Sequence, residues 1–377
     1  MSPKRSAPKK PAALPPGDAH GSSLRDVLAN ASLLVTCGPG GVGKTTTAAA
    51  LAIGAARMGR RVVVVTVDPA RRLADALGLD MSAHSFEPHE VKGATDGNGS
   101  LFALMLDAET TFDRMITDRA SDPARAAAVL SNPVYRSIAG SLGGAQDYMA
   151  IERLHQLHTS GKYDLVVLDT PPSRHAIDLL EAPDRLMTFL GHPIYRVLTM
   201  PTRSFAKVTN AGSSAFLWMV RKLAGPKIVE DTIEFFRSLA GMEEGLRARA
   251  GEVAVILRSK ETAFVLVSSP RAEAISESTH LVNALRDGGF HLGGVVVNLV
   301  HPLPPPAEAF FDLTPGPLAD HVAYHADLFA LATSERAEMA ELMALAKGAA
   351  EAELPLLDND IHDVAGLTTL SEMLLAD

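Results

Sequence analysis

The sequence predicts an α/β fold, a doubly wound and mostly parallel sheet between two helix layers with a helical subdomain attached. Three observations predict it. From Leu33 onward short β-branched runs alternate with longer helical stretches. Those runs, such as VVVV at Val62–Val65 and LVVL at Leu165–Leu168, are apolar on both faces, as strands buried between helices must be. The first run ends in a glycine-rich loop that opens directly into an alanine-rich segment, the order of strand, turn and helix that a phosphate site requires.

Taken in order, residues 1–23 combine Pro, Ala, Ser and Gly with Lys4, Arg5, Lys9 and Lys10 and show no periodicity, so a disordered basic tail is expected. Residues 24–377 read as a single domain. The first strand is Leu33–Cys37, and the loop Gly38–Thr47 reads GPGGVGKTTT. Gly38, Gly43, Lys44 and Thr45 fit G-x-x-x-x-G-K-[ST], the P-loop. In that motif the backbone of residues such as Gly40, Gly41, Val42 and Thr46 wraps the phosphates, the lysine reaches the β and γ oxygens, and the hydroxyl holds Mg²⁺. Gly38, Gly40 and Gly43 also spell the dinucleotide pattern G-x-G-x-x-G. Lys44 and Thr45 decide between the two, because a triphosphate with its metal needs an ammonium and a hydroxyl at the mouth of the helix and a dinucleotide does not.

Further strands are expected at Val62–Val67, Leu101–Leu106, Asp164–Leu168, Ala263–Val267 and Gly294–Asn298. The spans 108–162 and 184–260 lack strand candidates and predict the helical subdomain, with a glycine-rich loop at Gly140–Gly144. After the proline-rich connection His301–Pro306 the chain predicts helices, of which Ala337–Glu353 is the clearest. Two of the strands deliver an acid to the carboxyl end of the sheet, Asp68 after the second and Asp169 after the fourth. Either alone is as readily a turn cap. Two acids on strands flanking a P-loop strand point to the nucleotide, Asp169 to the Mg²⁺ shell and Asp68 to orientation of the attacking water.

Composition narrows the rest. The 377 residues carry a formal net charge of −9, so general nucleic-acid affinity is not expected. No apolar run reaches the roughly eighteen residues that a membrane span needs, and the N-terminus has no signal-peptide pattern, which predicts a cytoplasmic protein with at most transient membrane association. Cys37 is the only cysteine, so a thiolate-paired metal site within one chain, zinc included, is excluded.

The P-loop GPGGVGKTT, the segment DPARRLADALG, the segment DTPPSRHAIDLLEAP and the strand VVVN occur in an order and spacing that resemble the ArsA family. That family includes the arsenite-pump ATPase and the ATPase that guides tail-anchored proteins to membranes, within the wider MinD/ParA group of dimeric ATPases. The resemblance implies an Mg²⁺-dependent ATPase that works as a homodimer or as a heterodimer with a related ATPase. It assigns Asp68 to switch I as the residue that polarises the water, and Asp169–His175 to switch II. Asn298 would recognise adenine, and Pro355 and Leu356 belong to the segment that packs on the base.

Three departures qualify the resemblance. Pro39 stands where the family carries a lysine that reaches the partner's nucleotide, and Arg174 on switch II is the candidate substitute, with Arg71 and Arg72 as alternatives. Cys37 alone cannot supply the soft thiolate cluster that binds arsenite. The Cys-x-x-Cys pair that closes the eukaryotic targeting dimer around zinc is absent.

One stretch is distinctive without the family. From Arg185 to Val229 there is no Asp or Glu, against seven Lys and Arg, and the same stretch holds Phe189, Tyr195, Phe205, Phe216, Trp218 and Met219. Apolar packing on the sheet explains many of these residues. The combination also suits a hydrophobic protein client or an anionic membrane surface. The leading expectation is therefore an ATP-hydrolysing dimeric switch handling a hydrophobic or membrane-bound client. The alternatives are a MinD/ParA-like positioning ATPase and a slowly hydrolysing nucleotide-binding scaffold.

Overall fold

A computed structural model describes residues 23–67, 72–79, 87–106, 108–119, 123–132, 143–192, 243–305 and 319–376. Residues 1–22 of the expected basic tail, Asp68 and Arg71, and the apolar residues Tyr195, Phe205, Phe216, Trp218 and Met219 lie outside them, while Ser23, expected in the tail, is ordered.

Eight strands form one sheet in the order β3-β4-β2-β5-β1-β6-β7-β8. They are β1 (Leu33–Cys37), β2 (Arg61–Thr66), β3 (His89–Glu90), β4 (Ser100–Met105), β5 (Leu165–Asp169), β6 (Thr262–Ser268), β7 (Leu292–Val300) and β8 (Ala350–Pro355). All pairings are parallel except that of β3 with β4. Each of the six expected strands forms, within a residue or two of its expected bounds. The central strands β1 and β5 are buried at every position, as their continuous apolar runs require. Because β5 inserts between β1 and β2, the acid ending β5 stands beside the loop that follows β1.

Helices cover both faces. On one lie α1 (Leu24–Asn30), α2 (Lys44–Arg57) and, from the C-terminus, α11 (Val364–Leu374). Ser23 caps α1, its hydroxyl accepting from the Asp26 amide. Helix α2 is rich in alanine and buried from Thr47 to Ala56. A side chain at Gly54 would start 2.6 Å from Leu375 Cδ1 and Ser371 Oγ, so glycine lets α11 lie directly on α2. The short α3 (Arg72–Ala76) follows β2.

The opposite face buries larger side chains from α6 (Gly143–Thr159), α7 (Ser173–Gly191), α8 (Glu243–Leu257), α9 (Ala272–Asp287) and α10 (Ala319–Leu345). Helices α4 (Ala108–Arg119) and α5 (Pro123–Ser131) complete the described part of the span 108–162, in which α6 begins at Gly143, inside the expected loop. Among the described residues of 184–260 only helix and connecting turns occur, as expected. Here α7 and α8 are joined by Arg258 Nη2 donating to Asp184 at 2.9 Å.

One expected helix is corrected. Helix α10 ends at Leu345, not Glu353, and Ala350–Pro355 is an edge strand parallel to β7. Gly348, at φ 100°, turns the chain out of the helix. In the sequence AEAEL the alanines and leucine then face inward while Glu351 and Glu353 stay exposed, a charged edge of the kind that blocks further strand addition.

Candidate active site

The phosphate cradle is built by the turn from β1 into α2. Gly38, at φ 150°, passes so close to β6 that a Cβ there would sit 1.9 Å from the Val267 carbonyl oxygen. Gly43, at φ 90°, is the N-cap of α2 and offers no side-chain cap. The amides opening α2 therefore face outward with the positive end of the helix dipole, a ready anion site. Lys44 is buried in this turn, its Nζ donating to the Pro39 carbonyl at 2.7 Å.

Asp169, fully buried at the end of β5, receives two hydroxyl donors on the same oxygen, Thr45 Oγ1 at 2.8 Å and Thr66 Oγ1 at 2.9 Å. The carboxylate and the Thr45 hydroxyl are hard oxygen donors side by side at the mouth of α2. That donor set fits Mg²⁺, which takes one or two protein oxygens and completes its shell from water and phosphate. No cluster of three or more His, Cys, Asp or Glu able to hold a metal occurs among the described residues.

A cavity of about 310 Å³ opens over this cradle. Its floor is Gly41, Gly43, Lys44, Thr45 and Thr46, five of the P-loop residues named from sequence, whereas Gly38, Gly40 and Val42 do not line it. Thr170 and Pro172, from the segment between β5 and α7, form one wall, and Pro172 is the N-cap of α7. Four lining residues were not singled out as contacts from sequence: Asp75 and Ala76, which follow Arg72 on α3, and Ile361 and His362 just before α11. The C-terminal pair reaches the site only because α11 docks on α2. Arg72, so far an alternative for a charge reaching the partner's nucleotide, lines the cavity of its own chain. Arg174 falls in the first turn of α7, and its side chain lies outside the described residues.

Asn298 lies near the end of β7, beside the P-loop, its Nδ2 donating to the Val42 carbonyl at 3.0 Å. The next residue, Leu299, is the one non-glycine residue with positive φ, 65°, among those described, and its amide donates back to Asn298 Oδ1 at 2.9 Å. Pro355 and Leu356 close β8 next to this strand, the Leu356 amide donating to the Val300 carbonyl at 2.9 Å. Leu356 is exposed.

Cys37 is fully buried under the loop, and desolvation pushes its thiol up to about 12 despite the nearby Lys44 charge. A neutral, inaccessible thiol is no ligand for a soft metalloid.

Fold and site together define a P-loop nucleoside triphosphatase. The chain belongs to the ArsA family, whose description is anion-transporting ATPase and which it matches over residues 31–310. It is 26% identical over 361 residues to the ATPase GET3 of Malassezia globosa, covering 95% of this chain and 96% of that one. It is 25% identical over 292 residues to the ATPase GET3 of Chaetomium globosum, covering 76% and 79% of the two chains. With the ATPase GET3C of Arabidopsis thaliana it shares 28% identity over 282 residues, 70% and 66% of the respective chains. The protein is an ATPase, and the lone buried Cys37 sets it apart from an arsenite pump.

Proposed function

We propose that the protein is an Mg²⁺-dependent, ATP-hydrolysing dimeric switch whose nucleotide state controls binding of a hydrophobic helical protein client. The observation that carries the reading is the path of α7. Its N-cap Pro172 lines the phosphate cavity, and its last turns present Phe189, 46% exposed, at the start of the basic, apolar stretch. One helix thus runs from the reacting phosphates to the surface a client would meet.

In this reading the amides of the P-loop and Lys44 hold the β and γ phosphates, and Thr45 and Asp169 hold Mg²⁺, directly or through water. The metal, when bound, neutralises charge building on the phosphate oxygens. Asp68 orients the attacking water. Arg174 or Arg72 supplies further positive charge in place of the lysine that Pro39 replaces, and Asn298 sits at the base. The dimer is formed by two copies or with a related ATPase. An anionic membrane is the competing occupant of the basic stretch, and the absence of acid there is what favours it.

The test is affinity capture with the Asp68→Asn protein in ATP, alongside hydrolysis by wild type, Lys44→Ala and Asp68→Asn. The expected result is loss of turnover in both variants, with an apolar helical peptide retained by Asp68→Asn in ATP and released in ADP. Retention of liposomes but no peptide moves the reading to membrane positioning. Unchanged turnover in Lys44→Ala overturns the enzyme site itself. Arg174→Ala with an unaltered rate removes that residue from the mechanism.

A further inference from the structure

Three neighbouring strand ends meet at Asp169. In register, Thr36 of β1 stands on one side of it and Thr66 of β2 on the other. The two threonines have equivalent places and different partners. Thr36 Oγ1 donates to the Leu168 carbonyl at 3.2 Å, whereas Thr66 Oγ1 donates to the Asp169 carboxylate at 2.9 Å, on the oxygen that also receives Thr45. Thr66 is 1% exposed and does not line the phosphate cavity. The backbone ties the same pair of strands together one step further on, the Val67 amide donating to the Asp169 carbonyl at 3.3 Å. Asp68 comes next in the chain.

From this geometry we infer that Thr66 is a positioning residue for the divalent-cation site: its hydroxyl fixes the Asp169 carboxylate and couples it to the start of switch I. The inference rests on the ATPase reading of the site. Its physical basis is the shared oxygen. The Thr45 hydroxyl can bind a metal through a lone pair and still donate to Asp169, but its position then follows the metal. The buried carboxylate then keeps its orientation through the donor that cannot follow the metal, and Thr66, shut off from the cavity, is that donor. A charge-assisted hydrogen bond of this kind is stronger than a neutral one. Groups that orient a metal ligand from behind typically contribute ten- to a hundredfold to metal affinity.

The experiment is Mg²⁺ titration of fluorescent ADP binding in wild type, Thr66→Val and Thr66→Ser, with a parallel titration in EDTA and a thermal melt of each protein. Valine keeps the shape and continues the VVVV run, while serine keeps the hydroxyl. The expected result is a half-saturating Mg²⁺ concentration raised about tenfold in Thr66→Val and restored to within about twofold of wild type in Thr66→Ser. Metal-free ADP affinity should be equal in all three. Wild-type Mg²⁺ dependence in Thr66→Val, or an equal defect in Thr66→Ser, overturns the inference while leaving the ATPase reading intact. A wild type whose ADP binding ignores Mg²⁺ overturns the metal site and this inference together.

Discussion

The two faces of the sheet are packed to opposite ends. On the α2 face, alanines and Gly54 bring α2 and α11 to within side-chain stubs of each other. On the α7 face, large residues pack the sheet, yet beside the outer turns of α7 a groove of about 790 Å³ remains, walled by Leu180, Phe189, Leu285 and Phe290. The rim is held by polar ties, Arg185 to Asp178 and Glu181, and Arg258 to Asp184 and over the Phe290 ring. The difference teaches how one nucleotide site can be both rigid and responsive. The helix that follows the phosphate loop is fixed by close contact, and the helix that follows β5 has room along its far half.

The contrast breaks first at Gly54. Gly54→Val drives an isopropyl group into α11 and the Leu375 that follows it and should lower stability by about 2 kcal/mol, read by urea unfolding. A cost near zero would mean that the α2 face is not tight. Next comes Asn298, which braces the rigid corner through Val42. Asn298→Asp should weaken ATP binding about tenfold, as loss of one half-buried donor does, measured by calorimetry. A matching loss with GTP assigns the residue to the loop, and a loss confined to ATP assigns it to adenine. The smallest effect belongs to the open face. Phe189→Ala should change stability by about 0.5 kcal/mol or less while lowering capture of an apolar helix.

Cys37 adds a pH signature to the tight corner. Its folded thiol ionises near 12, above the free value of about 8.5, so the folded state favours the protonated form. That contribution is whole below the free value and declines as pH rises toward the folded one. Native protein at pH 8 should therefore resist iodoacetamide at Cys37 until it is unfolded, as mass spectrometry would show.

Much of the phosphate corner was legible in the sequence because it is local: the P-loop residues are contiguous, and Asp169 follows directly from a buried apolar run. The central strands were legible for the same reason. Strand β8 was not, since alternating Ala and Glu serves a charged edge strand and a helix surface equally, and only pairing with β7 decides. Ile361 and His362 were beyond reach because their place depends on the C-terminus folding back onto α2. Thr66 carried a faint local signal as the lone hydroxyl closing a valine run. Its partner, however, lies 103 positions away, and its role emerges only from strand register.

The central claim, that α7 answers to nucleotide while the α2 face does not, is tested most directly by paired spin-label distances. Buried Cys37 gives no background label, so His192→Cys with His280→Cys reports α7 against α9, and Arg57→Cys with Glu372→Cys reports α2 against α11. Between ADP and a trapped ATP-like state, the first distance should change by about 2 Å or more, as shifting helices do, and the second should not. A fixed first distance, or equal changes in both, would contradict the account.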